Sequence, residues 1–199
     1  MMKLEHFWKH FAEEFYNCLA QKCENESRNW LYYYDSNPIF TQLIQDTMRL
    51  IGKKLGYSYN NILFEHHRID YSFGKNDKNG DFLIEYAIEH ENNYLTWCHE
   101  LNQLRKIPKD IIKVLISFYR MKDQSIEHVQ REIRNIVENI NELSNNFLFI
   151  FGPGCRYGDD INELTIKAND YRAFVVRNNQ FVDLEDIKIF RRFPTINQL

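Results

Sequence analysis

The chain has 199 residues, of which 44% are hydrophobic and 15% aromatic, enough for one domain with a substantial core. It contains no apolar run long enough to cross a bilayer, and its formal net charge of -3 argues against an avid, nonspecific nucleic-acid binder. The start of the chain lacks a basic-then-apolar signal sequence, and the four cysteines have neither zinc-site nor disulfide-scaffold spacing. We therefore expect a cytoplasmic protein with reduced thiols and no membrane partner.

Two amphipathic helices are predicted in the first third of the chain. Apolar residues recur at helical spacing over residues 4–23 and again over residues 39–51. The polar and aromatic stretch between them is predicted to be a loop that closes at Asn37-Pro38. We expect these N-terminal helices, within residues 1–56, to pack on the core.

The middle of the chain has the pattern of a β-hairpin. Residues 62–73 predict one extended strand, and residues 74–80 are dense in glycine, asparagine and aspartate. Such a loop should join that strand to residues 81–91 in antiparallel pairing.

The remaining segments alternate between helices and apolar strands. Helices are predicted over residues 94–105 and from Ser125 onward, strands over 111–119 and 147–151, the latter stopping at Gly152, and a hairpin over 170–184 turning at Asn178-Asn179. This order predicts an α/β fold, a mixed β-sheet flanked by helices, in a single domain of residues 1–199.

The strand at residues 81–91 combines an apolar face with an acidic one. Because side chains alternate along a strand, Asp81, Glu85, Glu89 and Glu91 should share one face. The opposite face would carry Phe82, Ile84, Tyr86 and Ile88. Aligned carboxylates repel one another, and water, a cation or protonation could each offset that repulsion.

The preceding strand adds a further acid to this face. Alternation puts His66, Arg68, Asp70 and Ser72 on one side, and matching the apolar faces of the two strands brings Asp70 beside Glu89 and Glu91. Clustered carboxylates suit a hard divalent cation such as Mg²⁺ or Mn²⁺. The main-chain carbonyl of His90, between the two glutamates, is a further candidate ligand.

Asp70, followed by the turn and then Ala87-Ile88-Glu89-His90-Glu91-Asn92, resembles the active-site hairpin of the PD-(D/E)XK, or restriction-endonuclease-like, nuclease superfamily. In that family an aspartate on one strand precedes an acidic residue, any residue and usually lysine on the next. Asp70 and Glu89 match the two acids, Glu91 stands in the place of the lysine, and Ile69 replaces the usual proline. A helix and an apolar strand follow in both.

The resemblance implies a restriction-endonuclease-like α/β/α core and a nuclease that uses Mg²⁺ or Mn²⁺ to hydrolyse phosphodiester bonds, with DNA as the expected substrate. Asp70, Glu89 and Glu91 would be catalytic, with Asp70, Glu89 and the carbonyl of His90 as metal ligands. Glu91 would act as a base or hold a second ion, since it cannot supply a positive charge. Double-strand cleavage would fit a homodimer.

Two other interpretations remain open at this point. The chain could be a non-catalytic binding or assembly protein of the same fold, or an unrelated α/β interaction domain with an acidic surface. Several further side chains could serve the site or simply be solvated: His66, Arg68 and Glu100 near the carboxylates, and Lys106, Lys109 and Lys113 along a nucleic-acid backbone.

Overall fold

A computed structural model describes residues 2–28, 32–33, 37–92, 96–120, 131, 146–154, 171–177 and 180–184. Within these ranges the helices are α1 (Met2–Glu26), α2 (Asn37–Lys54) and α3 (Trp97–Leu104), and a short 3-10 turn covers Tyr59–Asn61. The strands are β1 (Ile62–His66), β2 (Ile69–Asn76), β3 (Phe82–His90), β4 (Ile112–Arg120), β5 (Phe147–Gly154), β6 (Arg172–Arg177) and β7 (Gln180–Asp183).

The strands form one mixed sheet whose spatial order follows the chain order, β1 to β7. The hairpins β1–β2–β3 and β5–β6–β7 are antiparallel, whereas β3, β4 and β5 run parallel to one another. Helix α3 provides the crossover that a parallel β3–β4 pair requires. The predicted α/β class with a mixed sheet is confirmed.

Helices cover both faces of the sheet, and each face has its own apolar core. On one face α1 and α2 pack against the strands, and Phe7 stacks on Phe73 and Tyr86 with ring centroids 6.4 and 5.8 Å away. On the other face, Trp97 of α3 belongs to a second cluster with Ala87 of β3. Because side chains alternate along β3, Glu89 lies on the same face of the sheet as Ala87, the face that α3 covers.

The predicted single strand over residues 62–73 is wrong, because the chain turns back within it. His66 pairs with Ile69, and His67 and Arg68 form a two-residue turn with φ angles of 53° and 64°. Left-handed backbone at two consecutive residues suits a tight hairpin, but glycine or asparagine normally marks such a turn in the sequence. His66 therefore lies on a different strand from Asp70, and Arg68 lies in the turn rather than on a shared strand face.

The predicted row of four carboxylates on β3 is also wrong. A β-bulge shifts the β2–β3 register between Phe73 and Gly74, and a side chain at Gly74 would overlap the carbonyl oxygen of Leu83. The bulge turns Glu85 toward the α1–α2 face, where it accepts a hydrogen bond from Tyr57. Asp81 precedes β3, in the loop.

Two smaller predictions differ from the structure, and a third falls on residues that the structure does not describe. Asn37-Pro38 opens α2 instead of closing a loop, since proline is tolerated in the first helical turn. β5 continues past Gly152 to Gly154, paired to β4 throughout. The predicted helix from Ser125 lies outside the described residues, apart from Arg131. No helix in the described part of the chain is both long and apolar enough to span a membrane.

Candidate active site

Asp70 and Glu89 meet where β2 begins and β3 ends. The backbone N–H of Asp70 donates to Glu89 Oε2 at 3.4 Å, and the backbone N–H of His90 donates to Asp70 Oδ2 at 2.9 Å. The β2–β3 ladder becomes regular one residue further along, at Tyr71 opposite Ile88. The Asp70 carboxylate thus caps the end of β3, and the two acids touch across adjacent strands.

Burial makes Glu89 an unusual carboxyl group. Only 1% of the residue is exposed, and Glu89 Oε1 has no hydrogen-bond partner among the described residues. Burial is the largest cause that raises the pKa of Glu89, to about 9, followed by the negative charges of Asp70 and Glu100. Without a cation, Glu89 therefore keeps a proton at neutral pH.

Asp70 and Glu89 titrate as one unit. Burial also raises the pKa of Asp70, while the hydrogen bonds from the His90 N–H and from Glu89 act in the opposite direction. A protonated Glu89 that donates to an ionised Asp70 accounts for these opposite effects on the two pKa values. The pair holds one proton where an ordinary exposed pair would hold none, and a cation could take the place of that proton.

Two more carboxylates lie within electrostatic range of this pair. Glu91 helps to raise the pKa of Asp70, and burial followed by the charge of Asp70 raises the pKa of Glu100 on α3. The backbone of Glu91 is fixed to β4, because its N–H donates to the carbonyl of Ile116 at 2.9 Å and its carbonyl accepts from Ser117 Oγ at 3.1 Å. The acids Asp70, Glu89, Glu91 and Glu100 thus form one cluster at the β2–β3–α3 junction.

The imidazole of His90 lies on the other side of the sheet from this acidic cluster. Its ring is buried 5.9 Å from the ring of Phe40 on α2, and burial lowers its pKa to about 3, so the ring is neutral. The backbone N–H of His90 contacts the acidic cluster through Asp70. Its carbonyl as a metal ligand stays a prediction.

The donor set of the acidic cluster suits a hard cation better than a softer one. The described residues contain no group of three or more His, Cys, Asp or Glu side chains placed to hold a metal ion. Mg²⁺, however, often takes only one or two carboxylates and completes its shell with water and phosphate oxygens. The unpartnered Oε1 of Glu89 and the neighbouring Asp70 carboxylate meet that smaller requirement.

A groove of about 660 Å³ runs beside Glu89. Its wall includes Arg68 from the β1–β2 turn and Lys106 after α3, together with apolar side chains such as Ile69 and Ile84. Arg68 thus borders the groove through the turn rather than through strand alternation. The sequence predicted the acidic residues from strand alternation. It could not predict the groove, because the groove forms where the β1–β2 turn approaches the end of α3.

Comparison with protein-family models, with curated proteins and with solved structures finds no match to this chain. The function of the acidic cluster is therefore inferred from the contacts, burial and charges of its own side chains. What the structure establishes is an α/β chain with a mixed sheet and an acidic cluster of which one member, Glu89, lines a groove.

Proposed function

We propose that this chain is a metal-dependent phosphodiesterase that hydrolyses nucleic acid, with a restriction-endonuclease-like core. The observation that carries the proposal is the contact between Asp70 and Glu89 across adjacent strands. Glu89 lines a groove, and its buried Oε1 has no partner among the residues that the structure describes. DNA is the expected substrate because the family resemblance implies it.

The electrostatics of the acidic cluster favour a divalent cation. Several carboxylates in range of one another raise each other's pKa values, and burial adds to the effect. A cation with two positive charges offsets that repulsion more fully than a single shared proton does. Asp70 and Glu89 would hold the cation, with the His90 carbonyl as a further ligand.

The cation, Glu91 and the cationic residues of the groove would each contribute to hydrolysis. A bound Mg²⁺ or Mn²⁺ would supply charge stabilisation for the phosphoryl group and would make water more acidic. Glu91, whose backbone is fixed to β4, would accept a proton from water or hold a second ion. Arg68 and Lys106 supply positive charge along the groove, where a phosphodiester backbone would need it.

The strand connections also support the restriction-endonuclease-like proposal. Asp70 lies on the middle strand of the β1–β2–β3 hairpins, Glu89 lies on β3, and α3 then leads to β4 parallel to β3. The resemblance implies this sequence of hairpin, helix and apolar strand. The homodimer that it also implies stays a proposal.

A non-catalytic binding protein of the same fold is the second candidate. The observation that favours it is the lack of three converging ligand side chains in the described residues, together with Glu91 in the place of the lysine. Such a protein would bind neither Mg²⁺, Mn²⁺ nor Ca²⁺ at this acidic cluster. Calorimetric titration with the three ions therefore separates the two candidates.

The nuclease proposal is tested by assaying the purified chain on labelled DNA and RNA with Mg²⁺ or Mn²⁺. We expect Asp70→Ala and Glu89→Ala each to reduce cleavage by roughly 100-fold or more. Asp81→Asn is the matched control, because this carboxylate lies in the exposed loop before β3 and should leave cleavage unchanged. Cleavage that survives in both alanine variants would remove these residues from the mechanism.

A further inference from the structure

A second cavity, of about 330 Å³, lies between the end of α3 and the starts of β4 and β5. Four of the side chains that line it are cationic, namely Arg105, Lys106, Lys109 and Lys113. This concentration of positive charge stands out in a chain with a formal net charge of -3. We call it the cationic cavity.

Within the described part of the chain, the side chains of Arg105 and Lys106 have neutral partners. Arg105 Nη1 donates to the amide oxygen of Asn102 at 2.9 Å, and Lys106 Nζ donates to that of Gln103 at 3.0 Å. These contacts are exposed on α3 and fix the direction of each side chain without neutralising it. Both retain hydrogen-bond donors for an anion.

Lys113 forms the buried floor of the cationic cavity. The residue is 1% exposed, and its ammonium group donates to the carbonyls of Pro108 and Ile111 at 2.7 and 3.1 Å. It also lies 5.3 Å from the ring centroid of Phe147. Burial lowers the pKa of Lys113, and the charge of nearby Asp110 opposes that shift only in part.

No carboxylate in the described ranges lies within ion-pair distance of the four cations that line this cavity. Asn146 fixes the loop that carries Lys109, because its amide donates to the carbonyls of Lys109 and Asp110 at 3.0 and 3.4 Å. The four cations that line the cavity repel one another, so an anion in the cavity would stabilise them.

We propose that the cationic cavity binds a phosphate group. Its charge and its many N–H donors suit phosphate, which accepts several charge-assisted hydrogen bonds at once. The cavity shares Lys106 and Ile107 with the groove beside Glu89, so a strand lying in that groove would place a neighbouring phosphate here. A nucleic-acid backbone is therefore the source of the phosphate, and this assignment of the source rests on the proposed function.

The test is calorimetric titration of pyrophosphate into the full chain in metal-free Tris chloride buffer. The variant is Arg105→Gln/Lys109→Gln, and the control of equal net charge is Lys53→Gln/Lys78→Gln, since all four residues are exposed. We expect the variant to bind pyrophosphate about 10-fold more weakly and the control to bind within about 2-fold of the wild type. Thermal unfolding confirms that all three proteins are folded.

A short DNA strand that displaces pyrophosphate supports the nucleic-acid source. If pyrophosphate binds but DNA fails to displace it, the cavity is a phosphate site whose ligand is a free phosphate compound, and the nucleic-acid source is wrong. Absence of pyrophosphate binding in the wild type, or equal weakening in both double variants, overturns the proposal. None of these outcomes changes Asp70 or Glu89 or involves a metal, so a failure here is distinct from a failure in the cleavage assay.

Discussion

Replacing Glu89 by glutamine is expected to stabilise the protein in the absence of metal, and more so as the pH rises. Glutamine keeps the shape of the side chain and can donate to the Asp70 carboxylate, but it cannot ionise. In the wild type, Glu89 has a pKa of about 9 when folded and an ordinary value of 4.5 when unfolded. The folded state therefore binds this proton more tightly, and the stability that it contributes is lost as the pH rises from 4.5 toward 9.

The size of the effect follows from the buried position of Glu89. Each pH unit in that window costs up to about 1.4 kcal/mol, so the change from pH 6 to pH 8 has an upper limit of about 2.7 kcal/mol. Sharing of the proton with Asp70 and entry of water reduce this change. We therefore expect the free energy of unfolding of Glu89→Gln, relative to that of the wild type, to rise by about 1–2 kcal/mol from pH 6 to pH 8.

Urea unfolding of the wild type, Glu89→Gln and Asp81→Asn at pH 6, 7 and 8 in metal-free buffer measures the expected difference. Asp81→Asn removes an exposed carboxylate and should run parallel to the wild type at every pH. The reasoning is refuted if the free energy of unfolding of Glu89→Gln, relative to the wild type, stays constant or falls with rising pH.

Substitutions at three positions provide further tests of the structure. Asp70→Ala leaves the backbone N–H of His90 without its acceptor and should lower the free energy of unfolding by about 1–3 kcal/mol, whereas Asp70→Asn should lower it by less. Gly74→Ala places a methyl group against a carbonyl oxygen of β3 and should destabilise by about 2 kcal/mol or more in the same assay; an unchanged midpoint would contradict the bulge. Tyr57→Phe removes the main cause that lowers the pKa of Glu85, so an NMR titration should show that pKa rise, and a further fall would contradict the contact.

The sequence predicted the elements whose signals are local. Apolar spacing over residues 4–23 and 39–51 indicated α1 and α2, which are longer than predicted because polar turns at their ends also take helical form. The run of β-branched and aromatic residues at 111–119 indicated β4, whose described side chains at 112–117 are buried on both faces. In each case the periodicity of the segment itself carries the information.

Predictions that depended on register or on tertiary approach were less successful. The turn at His67-Arg68 has left-handed backbone without glycine, and the bulge at Gly74 moved Glu85 to the opposite face. The pairing of Asp70 with Glu89 was unaffected by both, because the two residues lie between the turn and the bulge. Parity of alternation still applies within that short stretch.

The cationic cavity could not have been found from spacing alone. Its four cations come from the end of α3, the loop after it and β4, and Asn146 helps to hold that loop. The burial of Lys113 likewise depends on β5, where Phe147 covers it. In the sequence, lysines at 106, 109 and 113 were equally consistent with a solvated surface and with a binding site.

Calorimetric titration of Mn²⁺ at pH 7.5 into the wild type, Glu89→Gln and Asp81→Asn tests the divalent-cation site most directly. We predict that the wild type and Asp81→Asn bind Mn²⁺ and release close to one proton, measured from the dependence of the heat on the buffer, because the cation replaces the proton shared by Asp70 and Glu89. Glu89→Gln should bind about 10-fold more weakly or not at all, without proton release. Equal binding by all three proteins, or no binding by the wild type, would contradict the assignment of Asp70 and Glu89 as a cation site.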